Sequence, residues 1–174
     1  MDDSEIEFAI KNAKKITEAF KSFLLINEQI KEKLNRLLID PNNPKFEISN
    51  DWGKGSKKSQ DALPKGRIKK VLHINGKEAE YNIYPRYTDS NVENGITVNY
   101  SFGGPKTNDK DFFDYFKEKL SEEYENLEEV KDYLIIKRNY SSYNFVDEVC
   151  KDAIIIFGDL KDIQDSYREL IEKQ

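Results

Sequence analysis

A histidine that faces a carboxylate is the arrangement in this sequence that comes nearest to chemistry. His73 is the only histidine of the chain, and Asn75-Gly76 just after it is the strongest short-range signal for a two-residue hairpin turn. Such a turn places His73 opposite Glu78, with Glu80 further along the same face. An imidazole beside a carboxylate can act as a general base or hold part of a metal site. A surface cross-strand pair, which stabilises a sheet by about 0.2–1 kcal/mol, is the interpretation that we favour.

The rest of the sequence does not complete a catalytic or metal site around this pair. One histidine and one cysteine are too few ligands for a soft-metal site. The order of strands is similar to that of the PD-(D/E)XK nuclease core, a resemblance that implies an acid-x-Lys pattern on the third strand. Residues 95–102 (GITVNYSF) contain neither an acid nor a lysine, and residues 53–59 lack the spacing of a phosphate-binding loop. We therefore predict a non-enzymatic protein with no metal and no cofactor, and a degenerate or divergent metal-dependent nuclease is the weakest alternative.

Basic residues are concentrated between Lys54 and Lys70 in a chain of net charge −5, and Asp61 is the only acid among them. Lysine and arginine bind nucleic-acid phosphates, so nucleic-acid binding is the alternative function. The residues that would carry it are Lys54, Lys57, Lys58, Lys65, Arg67 and Arg138. A solvated loop that protects an edge strand from aggregation is the structural alternative.

Carboxylates crowd the helix predicted at residues 109–125, and tyrosines with an arginine occupy the predicted loop at residues 138–144. Such surfaces are typical of a solvated helix face and an ordinary turn, but they also suit a basic protein partner and an interface hot spot. The predicted partner-binding residues are Glu118, Glu122, Glu123, Glu125, Tyr140 and Tyr143. The predicted function is a protein-binding module of the inhibitor, immunity, anti-defence or dedicated chaperone type. Order, size and acidity resemble those of acidic chaperones of secreted effectors, which implies capture of a partner chain.

Length and composition limit the class of protein. The chain has 174 residues, of which 35% are charged, and its apolar residues recur regularly, so we predict one domain over residues 1–174. The single cysteine favours a reducing compartment, and Cys150 lies in an apolar helix stripe, as a buried thiol would. Met1 precedes two aspartates rather than an apolar run, and no apolar stretch reaches the roughly 20 residues that span a bilayer. We expect a cytoplasmic protein without membrane contact.

The elements that position these residues can be predicted from periodicity. The hairpin alternation places Ile68, Leu72, Ile74, Ala79, Tyr81 and Ile83 on a buried face, and Lys69, Val71, His73, Glu78, Glu80 and Asn82 on a wet one. Residues 95–102 form a third strand, with Ile96, Val98, Tyr100 and Phe102 buried and Thr97, Asn99 and Ser101 wet. Residues 45–49 form a short edge strand, and residues 132–137 form an apolar strand.

Long amphipathic helices flank this sheet. Residues 4–39 carry apolar side chains three or four apart, and we predict that this broad stripe packs on the core, with a homodimer seam as the alternative. Asn144 caps the last helix, which ends near Glu172, and Gly158 is expected to kink or interrupt it. The fold class is α+β, an antiparallel meander-based sheet packed against long N- and C-terminal helices in the order α-β-β-β-α-β-α.

Overall fold

The computed structural model describes residues 3–39, 44–49, 67–74, 76–86, 95–104, 110–141 and 143–173. The elements in chain order are α1 (Asp3–Leu37), β1 (Glu47–Ser49), β2 (Arg67–Ile74), β3 (Lys77–Arg86), β4 (Ile96–Gly103), α2 (Lys110–Glu123), β5 (Glu128–Val130), β6 (Tyr133–Tyr140) and α3 (Phe145–Glu172). The fold is α+β, as predicted, with the short strands β1 and β5 added to the predicted order of main elements. None of the described helices is both long and apolar enough to cross a membrane.

The central hairpin has the predicted register. β2 pairs with β3 so that His73 faces Glu78 and Ile68 faces Ile83. Gly76 has a φ of +76°, the left-handed conformation that a two-residue turn requires and that glycine adopts without steric cost. The turn therefore sets which side chains of both strands reach the core.

All strand pairs are antiparallel, and the order across the sheet is β1-β2-β3-β4-β6-β5. The short edge strand predicted at residues 45–49 is confirmed as β1. β5 was not predicted, because its sequence Glu-Glu-Val has no alternation and all three residues are exposed. It pairs with β6 through Glu128–Ile135 and Val130–Tyr133.

One face of the sheet is covered by the helices. Phe102 of β4 stacks on Phe116 of α2 with ring centroids 4.7 Å apart. The Tyr81 hydroxyl of β3 donates to the Ala153 carbonyl of α3 at 3.0 Å. Most of the predicted apolar residues of β2, β3 and β4 are buried on this face, but Ile96 is only partly buried and the side chain of Ile74 lies outside the described part of the chain. The opposite face, called the outer face below, carries the polar side chains.

Lys70 is an exception on the helix-covered face. Its side chain is 1% exposed, and its Nζ donates to the Pro44 carbonyl at 2.7 Å. The rings of Phe46 and Phe157 lie 5.3 and 5.7 Å from the same nitrogen, close enough for cation–π attraction. The alternation of β2 put Lys70 on the buried side, but the apolar pattern alone gave no sign that a lysine would be accommodated there.

α1 does not pack along its whole length, and the prediction that its stripe belongs to the core was wrong for the first half of the helix. Ile30 and Leu34 are buried, and the Ile30 carbonyl accepts the thiol of Cys150 at 3.8 Å. From Ser4 to Leu25, in contrast, no described side chain is buried. Only the C-terminal part of α1 is therefore a core helix.

α3 is a continuous helix with a buried apolar side. Cys150 is buried, as predicted, and burial raises the pKa of its thiol to about 11. Asn144 is the N-cap residue, but its side chain makes no capping hydrogen bond. Gly158 neither interrupts nor ends the helix, so the interruption predicted as one of two outcomes there was wrong.

Two strands are longer than their turn-forming residues indicate, and one of them extends into the loop predicted at residues 138–144. β3 extends to Arg86, and its Pro85 is buried opposite Val98. β6 extends to Tyr140, so the loop predicted to begin at Arg138 starts three residues later. In both segments pairing with β4 extends the strand beyond the point where turn-forming residues predicted its end.

Candidate partner-binding surfaces

A polar network around Glu80 occupies the outer face. Its carboxylate pairs with the Lys69 ammonium, accepts a hydrogen bond from the Tyr133 hydroxyl at 3.0 Å and lies 3.5 Å from the Arg67 guanidinium. Burial raises the pKa of Glu80, but the hydrogen bonds from Lys69 and Tyr133 and the two positive charges outweigh it, so the pKa lies below its ordinary value. The charged carboxylate of β3 therefore joins the neighbouring strand β2 and, across β4, the strand β6.

Two asparagines at the centre of the outer face are buried, although we predicted them to be wet. Asn82 is 2% exposed and Asn99 is 8% exposed. Within the part of the chain that the structure describes, both side-chain polar atoms of Asn82 and the Oδ1 of Asn99 have no hydrogen-bond partner. Larger side chains on neighbouring strands can cover a short one between them, which the alternation of polar and apolar residues cannot indicate. Unpartnered buried amides are costly, so they reduce the stability of the fold.

The candidate His73–Glu78 pair lies at the turn end of the outer face. The two residues are direct cross-strand partners, and His73 is exposed. Across the described part of the chain, no three His, Cys, Asp or Glu side chains come together as a metal-binding group. Glu80 is held by Lys69 and Tyr133, so the three residues considered for a nuclease act as a cross-strand pair and a separate ion-pair centre.

The predicted acidic surface is exposed but partly neutralised. Glu118, Glu122, Glu123 and Glu125 are all exposed on α2 and the turn after it. Glu122 pairs with Lys119 at 2.7 Å, one helical turn away. Two neighbouring carboxylates of β5 are also paired, Glu128 with Lys137 and Glu129 with Lys117. The surface retains an acidic character chiefly at Glu118, Glu123 and Glu125.

The two predicted partner-binding tyrosines have opposite environments. Tyr143 is fully exposed. Tyr140 is buried, and its hydroxyl bonds to the Tyr100 hydroxyl at 2.5 Å and donates to Asp152 at 2.6 Å. Burial raises the pKa of Tyr140 well above its ordinary value, and the hydrogen bond to Asp152 adds to this. Tyr140 is therefore a core residue that joins β6 to α3, and the prediction that it belongs to a surface was wrong.

The residues predicted for nucleic-acid binding are not brought together by the described structure. Lys54, Lys57, Lys58 and Lys65 lie outside the described residues. Arg67 lies on the outer face beside Glu80. Arg138 lies on the helix-covered face of the sheet, as does the buried Val98 that is its cross-strand neighbour on β4. Its guanidinium lies over the Tyr124 ring at 5.8 Å. The two arginines thus point to opposite sides of the sheet.

The exposed half of α1, residues 4–25, belongs to the stripe that we predicted to pack on the core, with a homodimer seam as the alternative. Ile10 is 74% exposed and Phe8 is 64% exposed, and Ile6, Ile16, Leu24 and Leu25 are exposed as well. The periodic signal was visible in the sequence, but it indicates only that a helix is amphipathic. Which element covers the apolar side depends on tertiary structure, and here no described element does.

A groove continues this surface where α1 meets the sheet. It has a volume of about 630 Å³ and is lined by Leu24, Glu28, Lys31 and Asn35 of α1 and by residues 45–48 beside it. Asn35 anchors this second wall, because its side-chain amide donates to the Phe46 carbonyl at 2.9 Å and accepts from the Phe46 N–H at 2.7 Å. The lining of the groove combines apolar side chains with charged side chains of both signs.

No family model matches the chain, and neither a search of curated proteins nor a search of solved structures found a match. A functional interpretation therefore depends on the surfaces of this chain alone.

Proposed function

We propose that this protein is a protein-binding module whose binding element is the exposed half of α1. The observation that supports this proposal is an apolar stripe that includes Ile6, Ile10 and Leu24 on a helical segment in which no side chain that the structure describes between residues 4 and 25 is buried. Contiguous exposed apolar surface on a protein marks an interaction site or an aggregation hazard.

A partner would stabilise the helix itself. A segment of about 22 residues has a length of about 33 Å, and most of the stability of a helix in a protein comes from the packing of its amphipathic face. An amphipathic helix that lays its apolar face against another protein surface is a common mode of recognition. Inhibitors, immunity and anti-defence proteins and dedicated chaperones are the classes to which such a module would belong.

The acidic residues contribute a second, weaker element to the proposal. Glu118, Glu123 and Glu125 are exposed, and carboxylates at this surface would attract a basic partner and raise its rate of association rather than determine its affinity. Changing Glu122 and Glu123 to lysine should therefore slow capture at low salt. If capture is unaffected, the acidic surface serves solvation only.

The experiment that tests the proposal uses two matched variants. Ile10→Asp and Phe8→Asp both place an aspartate on an exposed apolar position of α1, but two residues correspond to about 200° of rotation, so only Ile10 lies in the stripe. Tagged wild-type, Ile10→Asp and Phe8→Asp proteins are used to capture partners from a cell lysate, one half of which is treated with nuclease. We expect a stoichiometric protein component that survives nuclease and is lost with Ile10→Asp only. Material that is retained only through nucleic acid, or capture that ignores Ile10→Asp, would reject the proposal.

A further inference from the structure

We infer that the exposed half of α1 pairs with the same segment of a second copy of this chain, the two helices running antiparallel. The inference rests on the proposed protein-binding function and names the partner of that surface. It follows from three features of residues 4–25: the positions of the apolar residues, the order of the charges and the length of helix outside the core.

Four residues on one side of the segment lie in pairs about Lys15, three of them apolar and the fourth, Thr17, small and polar. Ile6, Ile10, Ala13, Thr17 and Leu24 fall within an arc of about 60° on a helix with 100° per residue. An antiparallel partner centred at Lys15 sets Ile6 against Leu24 of the second copy, and Ala13 against its Thr17. Large residues then meet at both ends of the overlap, and small residues at its centre allow the backbones to approach closely. A helix whose large and small residues are placed in this way can pack against an antiparallel copy of itself.

The charges favour the same direction. Glu7, Lys14 and Lys21 follow at a spacing of seven along one flank of the stripe, so they remain beside the seam of a helix pair. Antiparallel pairing brings Glu7 beside Lys21 of the second copy, twice per dimer. Lys14 meets its own counterpart at the midpoint, where long side chains can turn apart. Parallel pairing would instead bring together the acidic beginnings of both helices.

The length of the uncovered helix fits this arrangement. Asn27 is the first buried residue among the described side chains of α1, so the part of the helix N-terminal to about Leu24 lies outside the core. A partner centred at Lys15 therefore ends where the other copy enters its own core, and it covers the whole exposed segment without overlapping the sheet. The groove beside Leu24 lies on the same side of α1, at the end of the overlap. Its lining carries both signs of charge, Lys31 and Lys45 with Glu28 and Glu47, so it adds no preference for the acidic start of the partner helix.

The oligomeric state is the first test. Light scattering coupled to gel filtration should give the mass of a dimer for the wild-type protein and for Phe8→Asp, and that of a monomer for Ile10→Asp. Because both substitutions are at exposed positions, circular dichroism should show a folded sheet in each. A wild-type protein that stays monomeric up to about 100 μM, or equal masses for both variants, would overturn the inference.

The direction of pairing is tested by crosslinking. Ile6→Cys and Leu24→Cys are prepared separately and then mixed under oxidising conditions. Antiparallel pairing gives a disulfide-linked dimer in the mixture and not with either variant alone, whereas parallel pairing would link each variant to itself. Native Cys150 is buried and does not compete.

The charges give a rescue experiment. Glu7→Lys should weaken dimerisation about fivefold to tenfold at low salt, since two exposed pairs change from attraction to repulsion. Glu7→Lys combined with Lys21→Glu restores both pairs in reversed form and should recover most of the affinity. Lack of rescue would reject this register. If the wild-type protein is monomeric but Ile10→Asp abolishes the capture of another protein, the dimer inference fails while the proposed function stands. If Ile10→Asp changes neither the oligomeric mass nor the capture of a protein, the dimer inference and the proposed function both fail.

Discussion

Replacing Glu80 by glutamine should remove a charge that joins three strands while leaving the shape of the side chain unchanged. Glutamine can still accept a hydrogen bond from Tyr133 and from Lys69, but it no longer compensates the charges of Lys69 and Arg67. Since the Glu80 side chain is only 21% exposed, the loss should be larger than for a pair at the surface.

The magnitude follows from this partial burial. A hydrogen bond to a charged group contributes about 1.5–3 kcal/mol when buried, and exposed ion pairs contribute about 0–1 kcal/mol. We therefore expect Glu80→Gln to lower the free energy of unfolding by about 1–2 kcal/mol at neutral pH.

The pH dependence has a defined sign. The pKa of Glu80 is lowered in the folded state, so its charge stabilises the fold above the unfolded-state pKa of about 4.3. That contribution is lost as the pH falls through the folded-state pKa. The difference between wild type and Glu80→Gln should thus be constant near neutral pH and shrink below about pH 4.

Urea unfolding followed by circular dichroism, measured from neutral pH into acid, tests both the loss of unfolding free energy at neutral pH and its decrease in acid. Glu122→Gln is the matched control, because Glu122 also pairs with a lysine but its side chain is 56% exposed. The control should change stability little at any pH. A Glu80→Gln protein as stable as wild type at neutral pH, or a difference that persists unchanged in acid, would refute the reasoning.

Three further substitutions or labels test the fold. Gly103→Ala should lower the free energy of unfolding by at least about 3 kcal/mol, because a Cβ there would lie 2.1 Å from the Asp132 carbonyl oxygen at a φ of +134°; Gly76→Ala, which meets no atom within 4 Å, should cost about 1–2 kcal/mol. Equal losses in urea unfolding would contradict the steric argument. Asn82→Val should raise stability by about 1 kcal/mol, since it removes two buried polar atoms without partners, and a lower melting temperature would show that these atoms do have partners. A thiol reagent at pH 8 should label Cys150, with its pKa of about 11, only as fast as the protein unfolds; rapid labelling of the folded protein would show an accessible thiolate.

The sheet was predictable where a local signal determines a long-range result. Asn75-Gly76 fixed the register of β2 and β3, and alternation then assigned Tyr81 and Leu72 to the core. The same alternation failed for Asn82, since burial on the outer face depends on the size of neighbours from other strands. β5 was not predicted, because Glu128–Val130 forms a strand through its pairing with β6 and its sequence has no strand propensity of its own.

The candidate surfaces were less predictable for a similar reason. Tyr140 was interpreted as a surface residue because it stands among turn-forming residues, yet pairing with β4 carries it into contact with Asp152. Periodicity identified the stripe of α1 but could not show that it leaves the core near Leu24. The sequence shows which side of a helix is apolar, but only the tertiary structure shows whether that side is buried.

The ends of the sheet set a limit on how this protein can assemble. Among the described strands, the two edge strands β1 and β5 have only three residues each, and β5 carries Glu128 and Glu129, whose carboxylates pair with lysines. Short, charged edges discourage the addition of strands from other molecules. Association through residues 4–25 of α1 is two-fold and closes on itself. A protein that exposes so much apolar helix can therefore form a finite complex instead of growing into fibres.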